Sequence, residues 1–221
     1  MTLKKDIITS AIAMLALTLL LGILYPLVMT GVSQVAFPGN ANGQQVHQGG
    51  RLVASKIIGQ SFADPVINPK TGKPKLDANG NPVTTPDPRY FQTRPSATVP
   101  SDNAAATSFS NLGPNGVNTR EAIQANVRAY LALEKPHDPR LTVATIPVDA
   151  VNTSASGIDP DISVANADIQ AHRVAAVRHL PLAKVNQLVS TYTSGRGLGF
   201  SGEPAVNVVE LNLALNRLRA R

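Results

Sequence analysis

The chain has 221 residues and a net charge of +6, from 20 basic and 14 acidic side chains. It has no cysteine and no tryptophan. These absences exclude disulfides, thiol catalysis and metal–sulfur sites, and they leave little aromatic surface for stacking bases or sugars.

In chain order, Lys4, Lys5 and Asp6 precede Ile7–Val32, a stretch without a charged side chain. As a helix it is about 39 Å long, enough to cross a hydrocarbon core of about 30 Å with some tilt. A cleaved signal peptide has a shorter apolar run and a small-x-small site after it; Gln34-Val35-Ala36-Phe37-Pro38 offers none. The basic flank comes before the span, and the next basic residue is Arg51. Positive residues stay on the cytoplasmic side, so residues 1–6 are expected in the cytoplasm and the remainder outside. Thr18, Gly22, Pro26 and Thr30 recur every four residues, a face of small side chains on which another helix can pack closely. Pro26 lacks an N–H and predicts a kink near Leu21–Gly22.

Residues 33–50 read as a connector between the anchor and the domain. Residues 51–221 read as one extracytoplasmic domain of mixed α/β (α+β) type, because strand-like and helix-like patterns alternate. Val53–Ile58 is the first expected strand. Residues 64–87 are rich in Pro, Gly, Asn and Lys and read as an exposed inserted loop, with Asn79-Gly80 able to close a hairpin. The cluster Lys70–Lys75 lies in that loop and the other basic residues are scattered, so nucleic acid is not an expected partner. Thr98–Gly116 reads as loop.

Asn118 with Glu121 suggests a capping box opening a helix through Leu133, with Ile123, Val127, Tyr130 and Leu131 on its apolar face. Thr142–Val148 suggests a strand near an edge, given Pro147. Ser163 suggests a cap for a helix reaching His179, its apolar side formed by Ile169, Val174, Ala176 and Val177. Pro181 suits the start of another helix, with Val185, Leu188, Val189 and Tyr192 inward. Gly195–Gly202 reads as a glycine-rich turn, Val206–Val209 as a strand, and Leu211–Arg219 as a helix.

No phosphate loop, G-x-S-x-G or H-E-x-x-H motif is present. His172 and His179 are seven residues apart, but no third metal ligand is indicated. No catalytic residue and no metal site are assigned. Ser154-Ala155-Ser156-Gly157-Ile158-Asp159-Pro160-Asp161 is the most distinctive stretch. One reading is an Asp-Pro turn feeding a capped helix; the other is a nest of hydroxyls and amides contacting a partner or ligand. A serine nucleophile would need a base, and the spacing fixes no histidine beside it.

The motifs taken in order carry a resemblance. Gly59-Gln60-x-Phe62, Tyr90-Phe91-x-x-Arg94-Pro95-Ser96-Ala97 and Ser110-Asn111-Leu112-Gly113-Pro114 follow the single span. Ser154–Ser163, Gln170-x-x-Arg173-Val174-Ala175, Val206-Asn207-Val208 and Leu211-Asn212-x-x-Leu215 complete the set. Together they resemble KdpC, the C subunit family of potassium-transporting ATPases, over nearly the whole chain. The resemblance implies a bacterial inner-membrane complex that imports potassium at the expense of ATP. Its implied partners are a potassium-channel-like subunit, a P-type ATPase subunit that hydrolyses ATP, a small fourth subunit and membrane lipid.

The implied role is accessory: assembly, and control of the external ion entrance. No cofactor of its own is implied, and potassium is the ion the complex carries. A second implied role is a catalytic chaperone that raises the ATP affinity of the hydrolysing subunit. Its contacts would be Ser154, Ser156, Gly157, Asp159, Gln170 and Arg173, with Ser154–Gly157 and Gln170 resembling an ABC signature. Outside the family, a membrane-anchored hydrolase using Ser154 or Ser156, or an anchored binding module, remains open. Two departures stand out: residues 64–87 are longer than the usual link, and Asp161 stands where a histidine is more usual.

Overall fold

The computed structural model describes residues 3–105 and 110–218. Residues 106–109 of the expected Thr98–Gly116 loop, and Arg219 of the expected last helix, lie outside the described residues. The chain divides into two compact units, one up to Val53 and one from Ala54 onward.

The first unit is dominated by a continuous apolar helix, Leu3–Ala36, with a mean hydropathy of 2.5 and nothing buried along it. It comprises α1 (Leu3–Leu19), a π-helical turn at Leu20–Leu24 and α2 (Tyr25–Ala36). The π turn sits where the missing N–H of Pro26 predicts a disturbance. The Tyr25 N–H reaches back to the Leu20 carbonyl, one residue further than in an α-helix. α3 (Pro38–Ala41) and β1 (Gln45–Gln48) follow. The expected connector is therefore structured: Gln34 and Asn42 exchange side-chain hydrogen bonds of 3.3 and 3.1 Å. Gly49 and Gly50, at φ +58° and +79°, turn the chain from β1 into β2 (Arg51–Ser55), which starts and ends earlier than the expected Val53–Ile58.

In the second unit the insertion is a small sheet rather than an open loop. β3 (Ala63–Pro65) and β4 (Thr84–Pro86) form its antiparallel stem. Above the stem three backbones meet. The Val66 N–H donates to the Val83 carbonyl, Val83 to Lys75, and Lys75 to Val66, each at 2.8 Å. Two tight turns leave this junction, at Asn68–Lys73 and Asp77–Asn81. In the second, Asp77 accepts the Asn79 and Asn81 amides at 2.9 and 2.8 Å. That turn contains Asn79-Gly80, as expected.

α4 spans Val117–Glu134. Its cap is Gly116, without a side-chain bond, and not Asn118, which lies inside the first turn. The helix starts two residues earlier than expected, and the Thr119 hydroxyl bonds back to the Gly113 carbonyl. The expected strand Thr142–Val148 is instead two 3-10 turns, Val143–Thr145 and Val148–Ala150. Thr142 and Thr145 cap each other reciprocally, which closes the first turn and defeats the β propensity of the threonines.

β5 (Asp161–Ser163) leads into α5 (Val164–Arg178), and Ser163 is the cap as expected, its hydroxyl accepting the Asn166 amide at 3.1 Å. His179 closes α5 in the left-handed region at φ +55°. α6 (Leu182–Thr191), β6 (Thr193–Ser194), β7 (Ala205–Asn207) and α7 (Val208–Leu218) follow. The sheet order is β5–β7–β6, all antiparallel. The strand expected at Val206–Val209 ends at Asn207. Asn207 stops it by acting as a helix cap, accepting the Glu210 amide at 3.0 Å. The Gly195–Gly202 turn is the tip of the β6–β7 hairpin.

The main core packs Phe91, Ile162, Val174, Val185, Val206 and Leu211 between this sheet and the last three helices. A second cluster sets Tyr130, Leu141, Ala150 and Val151 against Ile169. The inward face of α5 is the expected one only in part: Val174 is fully buried and Ile169 packs against the second cluster. Ala176 is exposed, whereas Asn166, Gln170 and Arg173 are buried.

Candidate functional site

The polar residues buried on α5 hold a segment that has no regular structure. Residues 87–103 cross α5 and α7 without forming a strand, so their amides and carbonyls need partners from elsewhere. Asn212 of α7 supplies both for Phe91, accepting its N–H at 3.0 Å and donating to its carbonyl at 2.9 Å. Gln170 does the same for Gln92, at 2.7 and 3.1 Å. Arg173 donates to the carbonyls of Pro88 and Tyr90 at 2.6 and 2.9 Å, and to Gln170 at 3.0 Å. Its Nε lies 3.0 Å from both carboxylate oxygens of Glu134 on α4.

This ion pair has no access to solvent to speak of, with side-chain exposures of 0% and 1%. Burial pushes the Glu134 carboxyl up, and Arg173 opposes that shift by charge and hydrogen bonding. Asn166 continues the network. It accepts from Tyr130 Oη at 2.9 Å and from Gln170 at 3.0 Å, and donates to Asp149 at 3.0 Å. Asp149 also accepts the Ser163 hydroxyl at 2.7 Å and its amide at 2.8 Å. The cap of α5 is thus tied to the second 3-10 turn.

The other motif pieces meet next to this network. Arg94 reaches Asp159 at 3.2 Å and the Thr153 carbonyl at 3.1 Å. The Ser96 hydroxyl donates to the Gly157 carbonyl at 2.6 Å. Gly157 lies at φ +73°, where a side chain would be strained, and its amide donates to Ser154 Oγ at 2.8 Å. Gly59 passes so close that an added Cβ would lie 2.9 Å from the Asp159 carbonyl oxygen and 3.1 Å from the Asp102 carboxylate. Burial pushes the Asp102 carboxyl up to about 6, against the pull of hydrogen bonds from Thr93 and Ser101. Asp161, the residue at the histidine position, is also raised, first by burial and then by Asp159, and it accepts from Asn207 at 3.2 Å. A cleft of about 230 Å³ opens over the network, with Gln92, Arg94, Asp102, Tyr130, Glu134 and Gln170 among its walls.

The sequence candidates thus fall into three groups. Gln170 and Arg173 are buried, and their polar atoms are bonded within the chain. Ser154 is buried and Ser156 exposed; Ser154 Oγ meets the Gly157 amide and, at 3.4 Å, Ser156 Oγ, while Ser156 Oγ meets the Ile158 amide. Among the described residues no histidine, lysine or carboxylate bonds either hydroxyl, and no cluster of three metal-ligating side chains exists. Thr18, Gly22, Pro26 and Thr30 are all exposed on the apolar helix. Thr18 donates to the Met14 carbonyl at 2.7 Å, and the nearest atom to a Cβ added at Gly22 is the Thr18 methyl, 3.9 Å away. Sequence reasoning missed Asn166 and Glu134 and took Asn212 only as part of a motif, without a role; the signal of all three is polar residues at core-facing helix positions.

Among the described residues one helix is long and apolar enough to cross a membrane, and a separately packed α+β unit follows it, an architecture that fits a membrane-anchored chain. The chain belongs to the KdpC family: the family model described as the K+-transporting ATPase c chain matches residues 7–217. It is 43% identical to a potassium-transporting ATPase KdpC subunit from Methylococcus capsulatus, over 93% of this chain and 94% of that one. A relative of the same name from Ralstonia nicotianae is also 43% identical, over 92% of this chain and 86% of that one. One from Streptomyces coelicolor is 39% identical, over 94% and 90%.

Proposed function

We propose that this chain is an accessory subunit that stabilises an ATP-driven potassium-import complex and supports its transport. In this reading Lys4 and Lys5 hold the amino terminus in the cytoplasm, and the α+β unit lies on the outer side, at the ion entrance. The face of Thr18, Gly22, Pro26 and Thr30 packs against a helix of the channel-like subunit. ATP hydrolysis belongs to the P-type subunit, and a small fourth subunit completes the assembly. The observation that carries this reading is the internal use of Gln170 and Arg173. Side chains that fasten residues 88–92 to α5 support a scaffold in preference to a nucleotide contact.

One experiment with two readouts tests it. The chain is co-expressed with its complex, carrying at its carboxyl end a reporter active only outside the cytoplasm, and the assembled complex is purified. The reporter is expected to be active. Gly22→Leu should lower the yield of assembled complex, while Leu19→Phe should not. The chain itself leaves room at Gly22, so the loss would come from a neighbouring helix. An inactive reporter would overturn the orientation and revive the ATP-contact role; equal yields would remove the helix face.

A further inference from the structure

The apolar helix carries main-chain acceptors that it does not satisfy itself. Across the π turn the Tyr25 N–H donates to the Leu20 carbonyl. Leu24 caps α2, so the first N–H of the regular ladder, that of Val28, closes on Leu24. Between Leu20 and Leu24 stand three carbonyls, those of Leu21, Gly22 and Ile23. Between Tyr25 and Val28 stand Leu27 and Pro26, and Pro26 has no N–H. Three acceptors therefore share one donor. At the four-residue spacing of α2 the Leu27 N–H falls to Ile23, which leaves the carbonyls of Leu21 and Gly22 without one.

These carbonyls lie inside the hydrocarbon. The centre of the uncharged stretch falls between Leu19 and Leu20, so they sit about 2–4 Å past it along the helix. A proline in a membrane helix is tolerated because hydroxyls of the same helix, ordered water or a neighbouring helix re-satisfy the freed groups. The same helix does not do so here. A hydroxyl serves carbonyls three or four residues before its own, and for Leu21 and Gly22 those positions are Leu24, Tyr25 and Pro26. The Tyr25 hydroxyl lies at the far end of its ring, and Thr18 donates to the Met14 carbonyl at 2.7 Å. Ordered water needs further polar partners, and Leu20, Leu21, Ile23 and Leu24 around the site are apolar. A neighbouring helix is the remaining source. Gly22 leaves the approach open, since a Cβ added there would find only the Thr18 methyl, 3.9 Å away. The Gly22 carbonyl is aimed along the axis at Pro26, on that same face.

We infer that the carbonyls of Leu21 and Gly22 receive a neutral hydrogen-bond donor, a hydroxyl or carboxamide side chain, from the helix of the channel-like subunit that packs on Gly22. This rests on the accessory-subunit reading above and adds the side-chain class at the contact. Lipid tails carry no N–H or O–H at this depth, so lipid cannot take the place. A lysine or arginine would bring a charge to the middle of the bilayer at far greater cost.

The test labels the carbonyl carbon of glycine and the nitrogen of isoleucine in the full-length chain. Only Gly22-Ile23 and Gly157-Ile158 then give a paired signal in solid-state NMR, and the second lies in the α+β unit. The labelled chain is measured in lipid bilayers alone and after assembly into the unlabelled complex. On assembly the Gly22 carbonyl carbon should move downfield and show a cross-peak to a side-chain N–H or O–H proton of another subunit. An unmoved signal, or a cross-peak to water alone, would overturn the inference. Pro26→Ala gives the helix a donor of its own. In that variant the chain alone should already show the downfield position, and the amount held on the complex through a detergent wash should fall about fivefold, the share of one interhelical hydrogen bond. Retention equal to wild type would overturn the partner's donor. If the wild-type chain is not retained either, the subunit reading fails and the donor with it. A retained wild-type chain with an unmoved Gly22 signal sinks the donor alone.

Discussion

Two neighbouring segments between β2 and α4 are held in opposite ways. Residues 64–86 hold themselves: their bonds run from one backbone to another within the insertion, and nearly all their side chains are exposed. Residues 87–103 make few such bonds and depend on side chains of other elements. Asn212, Gln170 and Arg173 reach in from α7 and α5, and Gly157 and Asp159 meet Ser96 and Arg94. The first arrangement is local and separable. The second makes one stretch of chain the junction of two helices and a turn, so a change there is felt throughout the unit.

The sharpest way to break this contrast is at Arg173. Arg173→Met keeps the length of the side chain but leaves Glu134 as an unpaired buried carboxylate and strips the Pro88 and Tyr90 carbonyls of a donor. Removing one member of a buried ion pair costs about 3–5 kcal/mol. The detergent-solubilised chain should show that loss in urea denaturation. A loss below about 1 kcal/mol, the size of an exposed pair, would mean that the junction is not held from α5.

Asp102 gives a smaller effect, and one that depends on pH. Its carboxyl titrates at about 6 folded, against an ordinary value of 3.8, chiefly because it is buried. Between those values the folded state keeps a proton that the unfolded state has lost. Stability therefore falls as pH rises through that window, and stays lower above it. Asp102→Asn removes the cost of ionisation while retaining an acceptor for Thr93 and Ser101. The variant should gain about 2 kcal/mol at pH 8 and nothing at pH 4. A constant difference across that range would show that Asp102 is not the group responsible.

Sequence pattern revealed the apolar helix, the Ser163 cap and the last three helices, because each rests on local signals such as charge, capping and apolar spacing. It did not show the network as buried, although the resemblance had singled out Gln170 and Arg173. Asn166, Gln170 and Arg173 are polar residues on the inward face of α5, and periodicity assigns polar residues to the outside, which is why the pattern turns Ala176 inward. Their burial depends on the backbone of residues 88–92 lying across them, a contact between positions about 80 apart in the chain. Thr142–Val148 failed for a different reason: hydroxyls that bond nearby backbone compete with the strand their side chains favour. The motif spacings did collect the right segments. Gly59, Arg94, Ser96, Gly157 and Asp159 come from three separate pieces of sequence and meet at one place.

The insertion should give the smallest effect of all. Ile67–Pro82 can be replaced by Asn-Gly between Val66 and Val83, since those two residues face each other at the top of the antiparallel stem and the Val66 N–H donates to the Val83 carbonyl. Asn-Gly closes such a pair with a two-residue turn whose twist matches the strands. The deletion removes both bonds of Lys75, but the Val83 N–H and the Val66 carbonyl that they leave can bond each other across the new turn, so no buried donor is orphaned. It exposes little new apolar surface, because Ile67, Leu76 and Val83 are already exposed. The loop becomes roughly eight times shorter, which lowers the entropy of closure by about 2 kcal/mol and offsets the missing backbone bonds of the insertion. The net change in the urea midpoint should therefore be close to zero, with the same slope. A loss of more than about 2 kcal/mol would mean that the insertion supports the junction after all, since a surface segment away from a core costs far less. Asp87 would be the first place to look for that link. Its amide donates to the Phe62 carbonyl just below the stem, and its carboxylate, held low by the hydrogen bond from Arg89, begins the junction segment.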